Sequence, residues 1–147
     1  MKFSLRLALA LLMLAGTGHG QEITHNGYWW ANQPQNFKLG FVTGFTMAMT
    51  GNSDAAVLRC LATKQRSVEK ASGEEWKECM QTPEVAMLSY SNLRAGQLVE
   101  GLDEFYKDFR NKNILVDVAI RYVKDELRGK TGKELEDELA TFRKAAK

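Results

Sequence analysis

Apolar residues recur at helical spacing along most of the chain. Leu98, Leu102, Phe105 and Phe109 follow the spacing of one helix face, while charged residues occupy much of the remaining surface. A second set consists of phenylalanines at every fourth position: Phe37, Phe41 and Phe45. No stretch of useful length alternates apolar and polar residues as a half-buried strand does. The pattern therefore predicts an all-α fold, a small single-domain bundle of about five helices.

Capping residues and glycines mark the expected ends of these helices. Starts are predicted where a capping side chain precedes a proline or a capping-box acid: Asn32-Gln33-Pro34, Thr82-Pro83-Glu84 and Thr131-Gly132-Lys133-Glu134. Gly51-Asn52-Ser53 predicts the end of one helix and the cap of the next. The start of the helix that runs to Leu127 stays open between Ile114 and Asp117.

Small residues share the spacing of the phenylalanines. Gly40, Gly44 and Ala48 lie four residues apart. An interior glycine costs a helix about 1 kcal/mol relative to alanine. A close helix crossing would offset that cost, so these residues predict a packing face.

The first twenty residues have the order of a secretory signal peptide. Lys2 and Arg6 precede an apolar run from Leu7 to Ala15, and small residues follow. Cleavage is expected near Gly20. Removing 20 of the 147 residues, with two of the 20 basic side chains, leaves residues 21–147 with 18 basic and 18 acidic groups. This neutral balance argues against a nucleic-acid partner. The nine-residue apolar run is also too short to span a membrane, which takes about 20 residues.

Export determines the expected state of the two cysteines. Cys60 and Cys79 are 19 residues apart and fit no zinc or thioredoxin-like spacing. In an oxidising compartment such a pair usually forms a disulfide. We therefore predict one structural disulfide and a periplasmic or secreted location.

Few residues suit catalysis or cofactor binding. His19 leaves with the signal peptide, so His25 is the only remaining imidazole, and no glycine-rich phosphate loop is present. Glu100, Glu104 and Asp108 recur every fourth residue, which would place three carboxylates on one helix face. We interpret that face as solvated, because a general acid needs burial to raise its pKa. The chain is predicted to be no enzyme and to carry no metal or cofactor.

Two groups of residues are candidates for binding a protein partner. The first lies in residues 21–36, predicted to form an irregular aromatic arm: Tyr28, Trp29 and Trp30. These rings either anchor a partner or, as we favour, fold back over Phe41 or Phe45. The second follows the main amphipathic helix: Asp108, Arg110 and Asn111. These residues either form a recognition tip or cap two helix ends.

Three stretches carry a resemblance to a known family. The segments Lys38–Phe45, Gly96–Tyr106 and Val118–Val123 resemble small periplasmic helical proteins of the Rap/Tai immunity type. That family protects bacteria against cell-wall amidases delivered by type VI secretion. The sequence departs from the family at Arg110-Asn111-Lys112-Asn113, where a His-Pro type turn is expected. No toxin-binding residue carries over.

The leading functional expectation is a non-enzymatic periplasmic binding protein, an immunity protein that blocks a cell-wall hydrolase. The alternative is an acid- or stress-responsive periplasmic chaperone, because acid would neutralise the carboxylates and leave the basic groups to repel one another. A third hypothesis, a histidine-free glycan hydrolase, would depend on Glu104. The sequence leaves the partner and the oligomeric state open.

Overall fold

The computed structural model describes residues 24–64 and 67–147. The predicted signal peptide, residues 1–20, lies outside this part of the chain. The described residues form seven α-helices and no strand, so the prediction of an all-α fold is confirmed, with more helices than expected. The helices are α1 (Gly27–Ala31), α2 (Gln35–Thr63), α3 (Gly73–Met80), α4 (Pro83–Leu88), α5 (Ala95–Phe105), α6 (Val116–Leu127) and α7 (Lys133–Ala145), and a 3-10 helix covers Phe109–Asn111.

Helix α2 is one continuous helix where two were predicted. It begins directly after Pro34, close to the predicted start, but the predicted capping residue Asn32 ends α1 instead, and Pro34 provides no capping side chain. The helix then continues through Gly51 and Asn52 to Thr63. Ser53 is buried within it, and Ala56 and Val57 lie in a hydrophobic cluster. The break predicted at residues 51–53 is therefore wrong, because burial of the following turns outweighs the local cost of glycine and asparagine.

The main hydrophobic core lies between α2, α5 and α6. Leu98 and Leu102 of α5 and Ile120 and Val123 of α6 are fully buried in it. Helix α7 covers one side of this core with Leu139 and Phe142. Helix α1 contributes Trp30, whose side chain is buried, with the residue only 1% exposed. The amphipathic pattern near Ala95 thus identified a real core helix, but this helix ends at Phe105 and excludes Phe109.

A second, smaller cluster joins the end of α2 to α3 and α4. Cys60 and Cys79 form the predicted disulfide, with their Cα atoms 5.7 Å apart. Cys79 is fully buried beside Leu61 and Val85. The two cysteines lie close to the ends of their helices, so the bond fixes α3 against α2.

The helix starts agree with the sequence signals to different degrees. Thr82 caps α4 with its hydroxyl, and Pro83 is the first helical residue, as predicted. Helix α6 begins at Val116, between the two positions that the sequence left open. The capping box predicted at residues 131–134 is wrong: α7 starts after Gly132, which has φ of 75° and provides no capping side chain.

The aromatic segment is more regular than predicted. Residues 27–31 form α1, with Asn26 as the N-cap, so the expectation of an irregular arm across residues 21–36 is wrong for this part. Five residues are too few to show helical periodicity. The helix is held by contacts with residues far away in the chain, which no local pattern shows.

Candidate functional site

The turn between α5 and α6 carries three of the residues proposed for partner binding. Asp108 begins the turn, and its carboxylate accepts hydrogen bonds from the backbone N–H of Arg110 at 2.9 Å and from the guanidinium of Arg110 at 2.6 Å. Hydrogen bonding from Arg110 lowers the pKa of Asp108 to about 2. Asp108 is therefore ionised throughout the physiological range.

Asn111 closes the same turn from inside. It is buried, its Nδ2 donates to the carbonyl of Phe105 at 2.7 Å, and its Oδ1 accepts from Nε of Arg143 at 2.8 Å. Nη2 of Arg143 also donates to Asp108 at 2.7 Å. Asp108 and Asn111 therefore fasten the end of α5 to α7, which supports the capping interpretation for these two side chains.

Helix α1 packs against this turn. The backbone N–H of Gly27 donates to the carbonyl of Lys112 at 2.9 Å, and the backbone N–H of Val116 donates to the carbonyl of His25 at 2.8 Å. A Cβ atom at position 27 would lie 2.4 Å from the ring of Tyr106, so only glycine allows this approach. The contact places Tyr28, the next residue, beside the turn.

These contacts leave two aromatic side chains outside the core. Phe109 is 79% exposed and Tyr28 is 58% exposed. They line a groove of about 570 Å³ whose other walls are Arg110, Asn113, Arg143, Ala146 and Lys147. A neighbouring apolar groove has a volume of about 390 Å³. Three residues line both grooves: Asn113, Ala146 and Lys147. We call the two grooves with Phe109 and Tyr28 the Phe109 surface.

Sequence reasoning missed Phe109 as a surface residue. Its spacing from Phe105 matches the apolar face of α5 and predicts a core position, which is wrong. The helix stops at Phe105 because Tyr106 turns inward and donates its hydroxyl to the carbonyl of Ile114 at 2.9 Å. The signal that could have revealed the turn is Asp108, a typical capping residue directly before Phe109.

The tryptophans of the aromatic segment face inward to different degrees. The indole of Trp30 donates to Asp103 at 2.8 Å and packs edge-to-face on Phe41, with ring centroids 6.2 Å apart. Trp29 is half-buried between Phe37 and Phe41. The favoured interpretation, rings folded over Phe41, therefore describes both tryptophans, whereas Tyr28 remains available at the surface.

The three carboxylates proposed as a shared helix face are separated. Glu100 and Glu104 are exposed on α5, and Glu104 pairs with Lys107 at 2.5 Å. Asp108 lies beyond the end of that helix, so its predicted place on the same face is wrong. Its pKa of about 2 keeps this carboxyl ionised at neutral pH, whereas a general acid must hold a proton there.

Neither a metal cluster nor a membrane helix is found in the part of the chain that the structure describes. Within residues 24–64 and 67–147, no group of three histidine, cysteine, aspartate or glutamate side chains could hold a metal ion. No helix in these ranges is long and apolar enough to cross a membrane. In comparisons with protein-family models, curated protein sequences and solved structures, this chain has no significant match.

Proposed function

We propose that this protein is a non-enzymatic periplasmic binding protein, and that it acts as an immunity protein by covering a cell-wall hydrolase with the Phe109 surface. The observation that carries the proposal is the position of Phe109. This large apolar side chain is held outside the core on a turn that Asn111 and Arg143 fasten to the rest of the bundle.

The chemistry of the Phe109 surface suits a protein partner. Aromatic residues and arginine dominate the binding energy of most interfaces, and here Phe109 and Tyr28 stand beside Arg110. Because the turn is already tied down by side-chain hydrogen bonds, little conformational entropy would be lost on binding. An exposed ring on a rigid turn can therefore act as an anchor.

Export and the family resemblance support the cell-wall context. The order of residues 1–20 is that of a secretory signal, and a disulfide is typical of proteins in oxidising compartments. Two segments that carry the resemblance, Gly96–Tyr106 and Val118–Val123, coincide largely with α5 and α6, which flank the turn. The proposal places the contact with the hydrolase where the sequence departs from the family.

The test uses the mature protein, residues 21–147, and the cell-wall hydrolase encoded nearest to its gene. Wild-type protein should bind this hydrolase and inhibit its cleavage of purified peptidoglycan. Phe109→Ala should weaken binding at least roughly 30-fold, since truncation of an anchoring aromatic costs about 2 kcal/mol or more. Met87→Ala is the matched control, because Met87 is also exposed but lies on α4.

Two results would contradict the proposal. One is a Phe109→Ala variant that inhibits as well as the wild type. The other is a wild-type protein that captures no hydrolase from the envelope of its own organism. Both assays should be accompanied by thermal melting curves, which the Phe109 substitution should leave unchanged because the side chain is exposed.

The chaperone alternative is favoured by two carboxylates that hold separate segments together. Asp103 accepts hydrogen bonds from both the indole of Trp30 and Nζ of Lys38, at 2.8 and 2.7 Å. These two hydrogen bonds hold α1 and α2 against α5. The stability that Asp108 contributes is present above about pH 4 and is lost as the pH falls through its folded-state pKa of about 2.

Acid opening can be tested separately from inhibition. At about pH 2 to 3 a chaperone should expose apolar surface, bind a hydrophobic dye and keep an aggregating client in solution. A protein that stays compact at this pH and protects no client would rule out the alternative.

A further inference from the structure

A third groove lies on the side of α2 that faces the segment after α4. Its volume is about 690 Å³, within the range of about 300–1,000 Å³ that ligand pockets occupy. It is lined by Thr46, Met47, Thr50, Gly51, Ser53 and Asp54 from α2, by Met80, and by residues 89–93. None of these residues belongs to the Phe109 surface.

The hydroxyl of Ser53, which lines this groove, lacks a hydrogen-bond partner among the described residues. The residue is 8% exposed, yet its hydroxyl makes no hydrogen bond to any described residue. Buried hydroxyl groups are normally paired. Among the described residues, only the Tyr90 hydroxyl is both fully enclosed and unpaired, so the Ser53 oxygen keeps some contact with solvent. Ser53 is one of the residues that line the groove.

Two exposed polar side chains also stand unpaired at the same groove. Asp54 follows Ser53 on α2, and its carboxylate forms no ion pair within the described ranges. Asn92 lies on the opposite wall, and its amide makes no hydrogen bond there either. Among the described residues that line the groove, Asp54 is the only charged one. Apolar contact is available from Met47 and Met80.

We infer that this groove binds a small ligand that carries an ammonium group next to hydroxyl or amide groups. Asp54 accepts the ammonium, while Ser53 and Asn92 supply the hydrogen bonds that orient the ligand. The described side chains that line the groove include one carboxylate and no basic group, so the groove disfavours anions. Amino sugars and lysine-containing peptides share the required chemistry. Binding here is independent of the Phe109 surface.

The experiment compares three probes by calorimetry and by the amide NMR spectrum of the mature protein. They are a glucosamine trimer, its fully N-acetylated and therefore neutral counterpart, and trilysine. At least one ammonium probe should bind saturably at about 1 mM or below, with shifts centred on residues 46–54 and 89–93. The acetylated trimer should bind at least tenfold more weakly than the glucosamine trimer, or not at all. Binding should also weaken as salt rises, because Asp54 is exposed.

Substitutions separate this site from adsorption to other acidic residues. Asp54→Asn should weaken binding at least tenfold, whereas Glu100→Gln, which removes an exposed carboxylate on α5, should leave binding unchanged. Ser53→Ala should weaken binding at least threefold without lowering the melting temperature, because the hydroxyl stabilises nothing in the free protein. If Asp54→Asn fails to fold, Asn92→Gly tests the opposite wall, since Asn92 has φ of 70°, which glycine adopts freely.

The inference is overturned if neither ammonium probe binds, if the acetylated trimer binds as tightly as the glucosamine trimer, or if Asp54→Asn binds like the wild type. Preference for the sugar or for the peptide identifies the source of the ammonium. Phe109→Ala should leave this binding intact, so failure here and failure of the proposed inhibition are distinguishable.

Discussion

Nε of Arg143 donates a hydrogen bond of 2.8 Å to Oδ1 of Asn111, although 32 residues separate the two in the chain. This bond joins α7 to the turn between α5 and α6, and the other end of the Asn111 amide holds the last carbonyl of α5. The exposure of Phe109 follows from it, because a turn fixed at both ends cannot fold its ring into the core.

Asn111→Ala should therefore destabilise the protein by about 2 kcal/mol, since it leaves the Phe105 carbonyl and Nε of Arg143 without their hydrogen-bond partner. Asn113→Ala is the matched control, because Asn113 is exposed and makes no side-chain hydrogen bond to a described residue. Urea denaturation would measure the free energy of unfolding of both variants. Equal midpoints for the two variants would show that the Asn111 bonds contribute nothing.

Gly101 gives a second prediction, at the contact between α5 and α6. A Cβ atom there would lie 2.4 Å from Cγ1 of Val123, which is fully buried. Gly101→Ala should cost about 1–3 kcal/mol of stability through overpacking. Gly44→Ala should instead add up to about 1 kcal/mol, because nothing lies within 4 Å of its Cβ position and alanine favours the helix.

The same comparison corrects the expected helix crossing at Gly40 and Gly44, since no described residue packs closely on either glycine. Differential scanning calorimetry of Gly101→Ala and Gly44→Ala would measure both stability changes, which should have opposite signs. A destabilised Gly44→Ala variant would mean that something does pack there in solution.

Tyr90 provides a test of an unpaired buried group. Its ring is 4% exposed, and its hydroxyl has no hydrogen-bond partner among the described residues. Tyr90→Phe should raise the free energy of unfolding by about 1 kcal/mol, because an unsatisfied buried hydroxyl is removed. A loss of stability in this variant at neutral pH would mean that the hydroxyl has a partner in solution.

The same substitution has a signature in alkaline solution. Burial raises the pKa of Tyr90 to about 12, above its ordinary value of 10. The unfolded chain therefore releases this proton first, and the wild type loses stability as the pH rises from about 10 to about 12. Tyr90→Phe should lose less stability over this interval, which thermal melts at matched pH values would measure.

Reduction of the disulfide is the fourth test. The disulfide closes a loop between residues that are 19 positions apart. By restricting the unfolded chain, such a loop stabilises the folded protein by about 3 kcal/mol, so reduction should lower the urea concentration at the unfolding midpoint. Hydrogen exchange should accelerate more in α3 than in α5, because the bond fixes α3 to α2 while α5 lies in the main core. The double variant Cys60→Ala with Cys79→Ala should match the reduced wild type and should not respond to reductant.

Local patterns determined much of this fold. The spacing of Leu98 and Leu102 placed α5, Thr82 and Pro83 marked the start of α4, and the cysteine pair predicted the disulfide. Each of these signals depends on residues close in sequence, or on the redox chemistry of two side chains. These signals can be read from the sequence because they do not depend on which distant segments pack together.

Contacts between distant residues decided the rest. Burial of Ser53 and its neighbours carried α2 through a predicted break, and the bonds of Asn111 and Tyr106 ended α5 before Phe109. The third groove, between α2 and residues 89–93, likewise exists only because these two segments face each other across it. A side chain at helical spacing can lie inside or outside the core, and the sequence alone does not say which, because the partners that enclose it come from other parts of the chain.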